Sequence, residues 1–335
     1  MADQRIIMIH GRSTKPSKKA HAALQKRSLL KGLERVNPAK AQKLRDRKIK
    51  LDIVYYGDIN NAIMAESSSK VRKQLTEKDP DSRPKKNAPC LPSGSIEAAL
   101  DDLEAIKTYN KAAYRKVVKA NKDLRFLDEA AWALSTFSAI TTMTIANMAA
   151  IKFATADMGA YLTRRATGSA VRERLQEKLK PALLRGDDIC LVSHSMGCMV
   201  AYDVLWKFSR MSEYRAIQDK KTRVKWITLG CPLGEAGVKA NLYDANERDV
   251  PGGTDKHPRG IIKDWHNVAA VDDFISHDST MRGDYKAMTK FGYLDSITDR
   301  RIYNCYAESG TSNPHKFYGY LMNGACTELI ADWIK

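Results

Sequence analysis

The chain has 335 residues, enough to bury a sizeable core without disulfides or metals, and its 43% hydrophobic and 28% charged residues exclude a disordered or fibrous class. Its net charge of +17 would attract polyanions, but no helix-turn-helix, RRM, KH or zinc-finger pattern accompanies it, which disfavours nucleic acid as a partner. An anionic membrane surface stays open as a partner, because Met1 to Lys50 alone carries fifteen Lys/Arg against three acids, a net of +12.

The first element is an apolar run at 5–10, read as a buried strand ending in His10-Gly11-Arg12. No basic n-region, apolar h-region or small-residue cleavage site precedes it, so a signal peptide is not expected. The six cysteines (Cys90, Cys190, Cys198, Cys231, Cys305, Cys326) are scattered without zinc-ligand or disulfide-scaffold spacing, so they read as reduced core thiols. A cytoplasmic setting follows as the expectation, with peripheral membrane association as its alternative.

Next, basic residues alternate with Ala22, Leu24, Leu29, Leu30 and Leu33 at helical spacing, which predicts an amphipathic helix with a solvated charged face. A second strand is expected at 50–56, and the Ser-, Lys-, Asp- and Pro-rich stretch 66–95 reads as an exposed loop. Residues 96–180 are helical in pattern and too long for a simple crossover, which predicts an inserted cap. Within them Ala130 to Ile151 carries no charge. Its many Ser and Thr residues favour a buried or lid helix over a membrane-surface element or a bilayer span.

Further strands are expected at 187–193, 223–229, 265–271 and 301–306. Apolar strands separated by helices predict an α/β fold with a mostly parallel sheet flanked by helices. Active groups in such sheets lie in loops at the carboxyl ends of the strands.

The strand at 187–193 leads into Ser193-His194-Ser195-Met196-Gly197 and a helical run. A strand-to-helix turn of small residues with Ser at its apex is what a nucleophile needs to stand clear of the sheet. Gly197 fits that need, and Ser193 stands where glycine is more usual. A serine hydroxyl also needs a base. Of seven histidines, His10 and His194 lie inside motifs, His21 in the first helix, His257 in a Gly/Pro-rich loop and His266 in a strand. His277 precedes the last strand, whereas His315 follows it and opens the last helical stretch. His315 is therefore the expected base in the chain order Ser, acid, His. The acid is expected at Asp273, one residue further toward the strand end than Asp272, which is its alternative; Asp278 is a weaker candidate. Backbone N–H groups of Met196 and of Arg12, with Gly11 as the alternative to Arg12, are the expected oxyanion donors.

These segments together (Ile7 to Gly11, Ser193 to Gly197, Thr228 to Gly234, Asn267 to Asp273 and Pro314 to Tyr320) resemble the α/β-hydrolase superfamily, in its lipase- and esterase-like branch. The resemblance implies a single α/β-hydrolase domain over 1–335 with the cap at 96–180 inside it. It further implies that the two leading antiparallel strands are missing, because the first strand starts at once. It implies cleavage of ester or lipid-like small molecules through an acyl-enzyme, and no cofactor. Two alternatives remain open at this point: an acyltransferase or thioesterase using the same residues, and a membrane-surface binding protein on a vestigial hydrolase scaffold. No GxGxxG, GxxxxGK[ST] or HExxH pattern occurs, which leaves nucleotide and zinc-protease chemistry without support, and no metal is expected.

Overall fold

The computed structural model describes residues 2–121, 156–243, 256–276 and 280–335. The apolar segment 130–151, His277 and Asp278 lie outside the described residues.

Six strands form one sheet: β1 (Gln4–Ile9), β2 (Lys50–Val54), β3 (Asp188–His194), β4 (Val224–Leu229), β5 (Ile262–Ala270) and β6 (Ser296–Ile302). Their order across the sheet is β2-β1-β3-β4-β5-β6, and every neighbouring pair is parallel. Such a sheet must be covered on both faces, and the alternation along each strand divides the core accordingly. Ile7, Ile9, Ile189, Leu191, Trp226 and Trp265 belong to one buried cluster, whereas Ile6, Met8, Cys190, Val192, Ile227 and Val268 belong to the other.

The covering layers follow from helical apolar stripes. Helix α1 (Lys18–Val36), capped by Ser17, buries Leu24, Leu29 and Leu33, with Leu29 and Leu33 in the second cluster. A short helix α2 (Ala156–Thr163) leads into α3 (Arg165–Arg185), which places Val171, Leu175, Leu179 and Leu183 in the first cluster. Helix α4 (Met196–Arg210) joins that cluster, while α5 (Phe317–Met322) and α6 (Gly324–Trp333) close the other face beside α1. At the centre, Trp226 and Trp265 stack with ring centroids 4.5 Å apart. Fully burying one such side chain is worth at least ~2–3 kcal/mol.

Five of the fifteen basic residues of the N-terminal segment form ion pairs among the described residues. Arg5 contacts Asp52 and Asp187, Arg12 contacts Asp157, Arg27 contacts Asp101 and Glu104, and Lys31 and Arg45 contact Glu34. Lys18, Lys19, Lys26, Arg47, Lys48 and Lys50 are exposed. All six cysteines are free and buried. Among the described residues no helix is long and apolar enough to cross a membrane.

Three expectations need correction. The last strand runs Ser296–Ile302, not 301–306; its polar run Thr298 to Arg301 hides an edge strand that buries Ile297 and Ile302. The chain then leaves the sheet because Asn304 draws it into a loop, donating to the carbonyls of Pro314 (2.8 Å) and Lys316 (2.9 Å). The stretch 66–95 is structured: Ser69–Gln74 is helical, and Glu77–Asp79 pairs with Ala88–Cys90 in a small ribbon. There the buried Asp79 carboxylate accepts from the backbone N–H of Lys18 and Asp81, so a composition typical of loops is tied down by side-chain caps. Finally, α3 starts within the 96–180 region expected to form a cap and runs on to Arg185, and its apolar stripe lies in the covering layer of the sheet.

Candidate active site

Between β1 and its neighbour β3 the strand order reverses direction, which makes the carboxyl ends of these two strands the switch point of the sheet, the place where α/β sheets carry their functional groups. Both the His10-Gly11-Arg12 loop and Ser195 sit there. Ser195 is the single residue between β3 and α4, with φ 54° and ψ −128°. A non-glycine residue held at such angles stores roughly 1–3 kcal/mol of strain. It is held by its own N–H donating to the Leu229 carbonyl (3.0 Å) and by its carbonyl accepting from the Cys198 N–H (2.8 Å). The turn and the β1 loop touch through their glycines. A Cβ on Gly197 would lie 2.5 Å from the His10 carbonyl oxygen, and one on Gly11 would lie 2.6 Å from the Ser195 Cβ. Ser193 stands in the place of the more usual glycine and uses its hydroxyl there. Its Oγ accepts from the Trp226 indole N–H at 2.9 Å, satisfying a fully buried donor.

The β1 loop is fixed from both sides. His10 is fully buried, and its Nε2 accepts the Tyr56 N–H (3.1 Å), so its Nδ1 carries the proton and donates to the Gly11 carbonyl (2.8 Å). The Tyr56 hydroxyl donates to the His10 carbonyl, and the two rings stack at 4.0 Å. Further along, the buried Asp157 carboxylate on α2 accepts from Arg12 Nε (3.3 Å), from the Ser13 N–H and from the Met158 N–H (2.9 Å). Ser13 has φ 75°, so Asp157 grips the loop at its left-handed residue. The Lys15 ammonium reaches back to the carbonyls of Arg12, Ser13 and Thr14. Met196 is the first residue of α4, and its N–H has no intrahelical carbonyl to meet.

The acid and base candidates meet. His315 Nδ1 lies 2.9 Å from both carboxylate oxygens of Asp273, which is 3% exposed. Asp273 Oδ1 also accepts from the Ile275 N–H (3.0 Å), and Oδ2 from the Tyr320 hydroxyl (2.5 Å). Gly230, with φ 54°, lies under this pair; a Cβ there would come within 2.9 Å of both the Asp273 carboxylate and the His315 ring. Asp272 is not brought in. It is exposed, has φ 63°, and accepts from the Tyr114 hydroxyl at 2.8 Å. Because β5 ends at Ala270, both aspartates lie in the turn beyond it, where the left-handed Asp272 separates their directions.

His194 links the two halves of the site. Its ring lies 4.7 Å from that of His315 and stacks on Phe317 at 4.9 Å, and its Nε2 donates to the His315 carbonyl (2.6 Å). Burial, reinforced by the neighbouring His315, holds His194 well below the ordinary histidine range, so it is neutral. The remaining described histidines lie in other networks: His21 with Tyr318 and Gln25, His257 with Tyr202, and His266 with Thr298. Among the described residues no group of three or more His, Cys, Asp or Glu side chains could hold a metal ion.

Compared with protein-family models, curated proteins and solved structures, the chain matches none of them. The geometry of its own residues therefore carries the functional reading. Three participants were not singled out from the sequence. Asp157 and Tyr320 meet their partners across 144 and 47 residues, and no local pattern marks them. Only His194, next to the turn serine, had a positional signal.

Proposed function

We propose that this protein is a serine hydrolase of the α/β-hydrolase type that cleaves carboxylic esters. One observation carries the reading. A serine on a left-handed strand-to-helix turn and an Asp–His pair at 2.9 Å gather at the carboxyl ends of β3, β5 and β6, in the chain order Ser, Asp, His.

In this reading His315 Nε2 takes the Ser195 proton as Oγ attacks the ester carbonyl. The tetrahedral oxyanion is met by the N–H of Met196 and by that of Arg12 or Gly11 from the β1 loop. His315 then gives its proton to the leaving alcohol, and an acyl-enzyme remains. Water, deprotonated by His315, releases the acid and restores Ser195. Asp273 holds the imidazole and stabilises its cation. Asp157 and His10 support the chemistry indirectly by fixing the loop that supplies an oxyanion donor.

A panel of a short-chain ester, a long-chain ester and a phospholipid, assayed with wild type and Ser195→Ala, tests this. The wild type is expected to hydrolyse at least one, and the variant to fall by about 10³-fold or more. A folded wild type inert toward all three counts against the proposal.

A further inference from the structure

The hydrogen bonds around Asp273 determine more than its contact with His315. The Ala270 N–H can only donate, and its acceptor is the Tyr320 hydroxyl oxygen at 2.8 Å. The Tyr320 proton must therefore be given elsewhere, and Asp273 Oδ2 receives it at 2.5 Å. The Ile275 N–H likewise can only donate, and it does so to Asp273 Oδ1 at 3.0 Å. Both carboxylate oxygens thus accept, the arrangement of an ionised carboxylate, which has no proton to offer. Its remaining partner, His315 Nδ1, must be the donor. The ring proton then sits on Nδ1 and the lone pair on Nε2.

We infer that Tyr320 is a positioning residue that holds Asp273 as a pure acceptor and thereby sets the tautomer of His315. Tyr320 is fully buried on α5, and burial beside the Asp273 charge keeps its hydroxyl well above the ordinary tyrosine range, so it retains the proton it donates. A hydroxyl donating to a carboxylate also spreads the carboxylate charge and moderates its pull on the imidazolium. The neighbouring titratable groups are His194 from the end of β3, neutral through burial, Lys316, whose ammonium is paired with Glu308 at 2.9 Å, and Lys15 of the β1 loop, lowered to about 7 by burial and held on the loop carbonyls. Asp273 is therefore the charge in direct contact with the ring, and Tyr320 is its buried side-chain donor on the far side.

This inference rests on the serine hydrolase reading only for its kinetic consequence, so two measurements separate the two. The first is the rate of fluorophosphonate labelling from pH 5 to 9 for wild type and Tyr320→Phe. Loss of the hydroxyl leaves Asp273 pulling harder on the protonated ring, so the acid limb is expected to move to higher pH by about 0.5–1 unit. The plateau rate is expected to fall about 3–10-fold. A purely structural role would lower thermal stability and leave the limb in place, and superimposable profiles would overturn the inference. The second is the ¹⁵N NMR signature of His315 in the intact wild type, which does not require the variant to fold. Protonated Nδ1 and bare Nε2 are expected; the reverse assignment overturns the inference even if the enzyme labels normally. A wild type that carries Nδ1–H yet never labels would instead sink the hydrolase reading and leave the Tyr320 network standing.

Discussion

Replacing Asp273 with Asn is expected to lower ester hydrolysis about 10⁴-fold, about 5 kcal/mol of transition-state stabilisation, while leaving the fold in place. The magnitude follows from the hydrogen bonds. The Asp273 carboxylate receives donors from Tyr320, Ile275 and His315. An amide offers one oxygen and one NH₂ group, so one of those donors must lose its acceptor. The Ile275 N–H cannot change role, so the amide oxygen takes the Oδ1 position and the NH₂ group the Oδ2 position, where it faces both the Tyr320 oxygen and His315 Nδ1 and donates to the ring. His315 must then accept at Nδ1 and carry its proton on Nε2, where it can no longer take one from Ser195. Asp272→Asn provides the control. Its carboxylate is exposed and meets only the Tyr114 hydroxyl among the hydrogen bonds described above, so less than a twofold change in kcat/KM is expected, roughly 0.4 kcal/mol. Equal losses in the two variants, or a loss below tenfold in Asp273→Asn, would remove Asp273 from the mechanism.

Stability is expected to fall steeply as pH drops below about 6.5, through three buried neutral histidines. His10, His21 and His194 are 0%, 2% and 6% exposed, and each is held well below the ordinary histidine range with burial as the largest cause. The sign follows from linkage. In the unfolded chain each takes up a proton near pH 6.5, whereas in the folded protein each resists it, so the unfolded state binds more protons and acid favours it. The stabilisation is complete above about pH 7 and is lost as pH falls toward the depressed folded values. Each histidine contributes a limiting slope of about 1.4 kcal/mol per pH unit, so three contribute about 4 kcal/mol per pH unit, and a drop of one unit removes a large share of an ordinary stability of roughly 5–15 kcal/mol. Urea midpoints measured at pH 7.5, 6.5, 5.5 and 4.5 check this. A flat profile across that range would mean that these rings take up protons as readily in the folded as in the unfolded state. The consequence is also functional, because His10 shapes the β1 loop and His194 tethers the His315 backbone.

How far the sequence reached depended on whether the signal was local. The strands β1, β3 and β4 and the second half of β5 are largely apolar and buried on both faces, so composition alone located them to within a few residues. Edge strand β6 was misplaced because the side chains of Thr298 and Asp299 are exposed, and an exposed strand lacks the continuous apolar run used to find it. Ser195 and Asp273 stand out in the sequence because each lies just beyond a strand end, where an α/β sheet concentrates chemistry, and His315 because it follows the last strand of the sheet, in the loop that Asn304 shapes. Their supports do not. Tyr320 reads as an ordinary aromatic in an apolar helix, and Asp157 as an acid in a first helical turn. Ser193 looked like a blemish in the turn motif until Trp226 supplied the reason for its hydroxyl. Long-range pairing of this kind leaves no trace in spacing.

The central claim is that Ser195 is the nucleophile, and covalent labelling tests it most directly. Intact-mass spectrometry after fluorophosphonate treatment of the folded protein is expected to show a single adduct on wild type, mapped to Ser195, and none on Ser195→Ala. A folded wild type that stays unmodified, or an adduct that persists in Ser195→Ala, would contradict it.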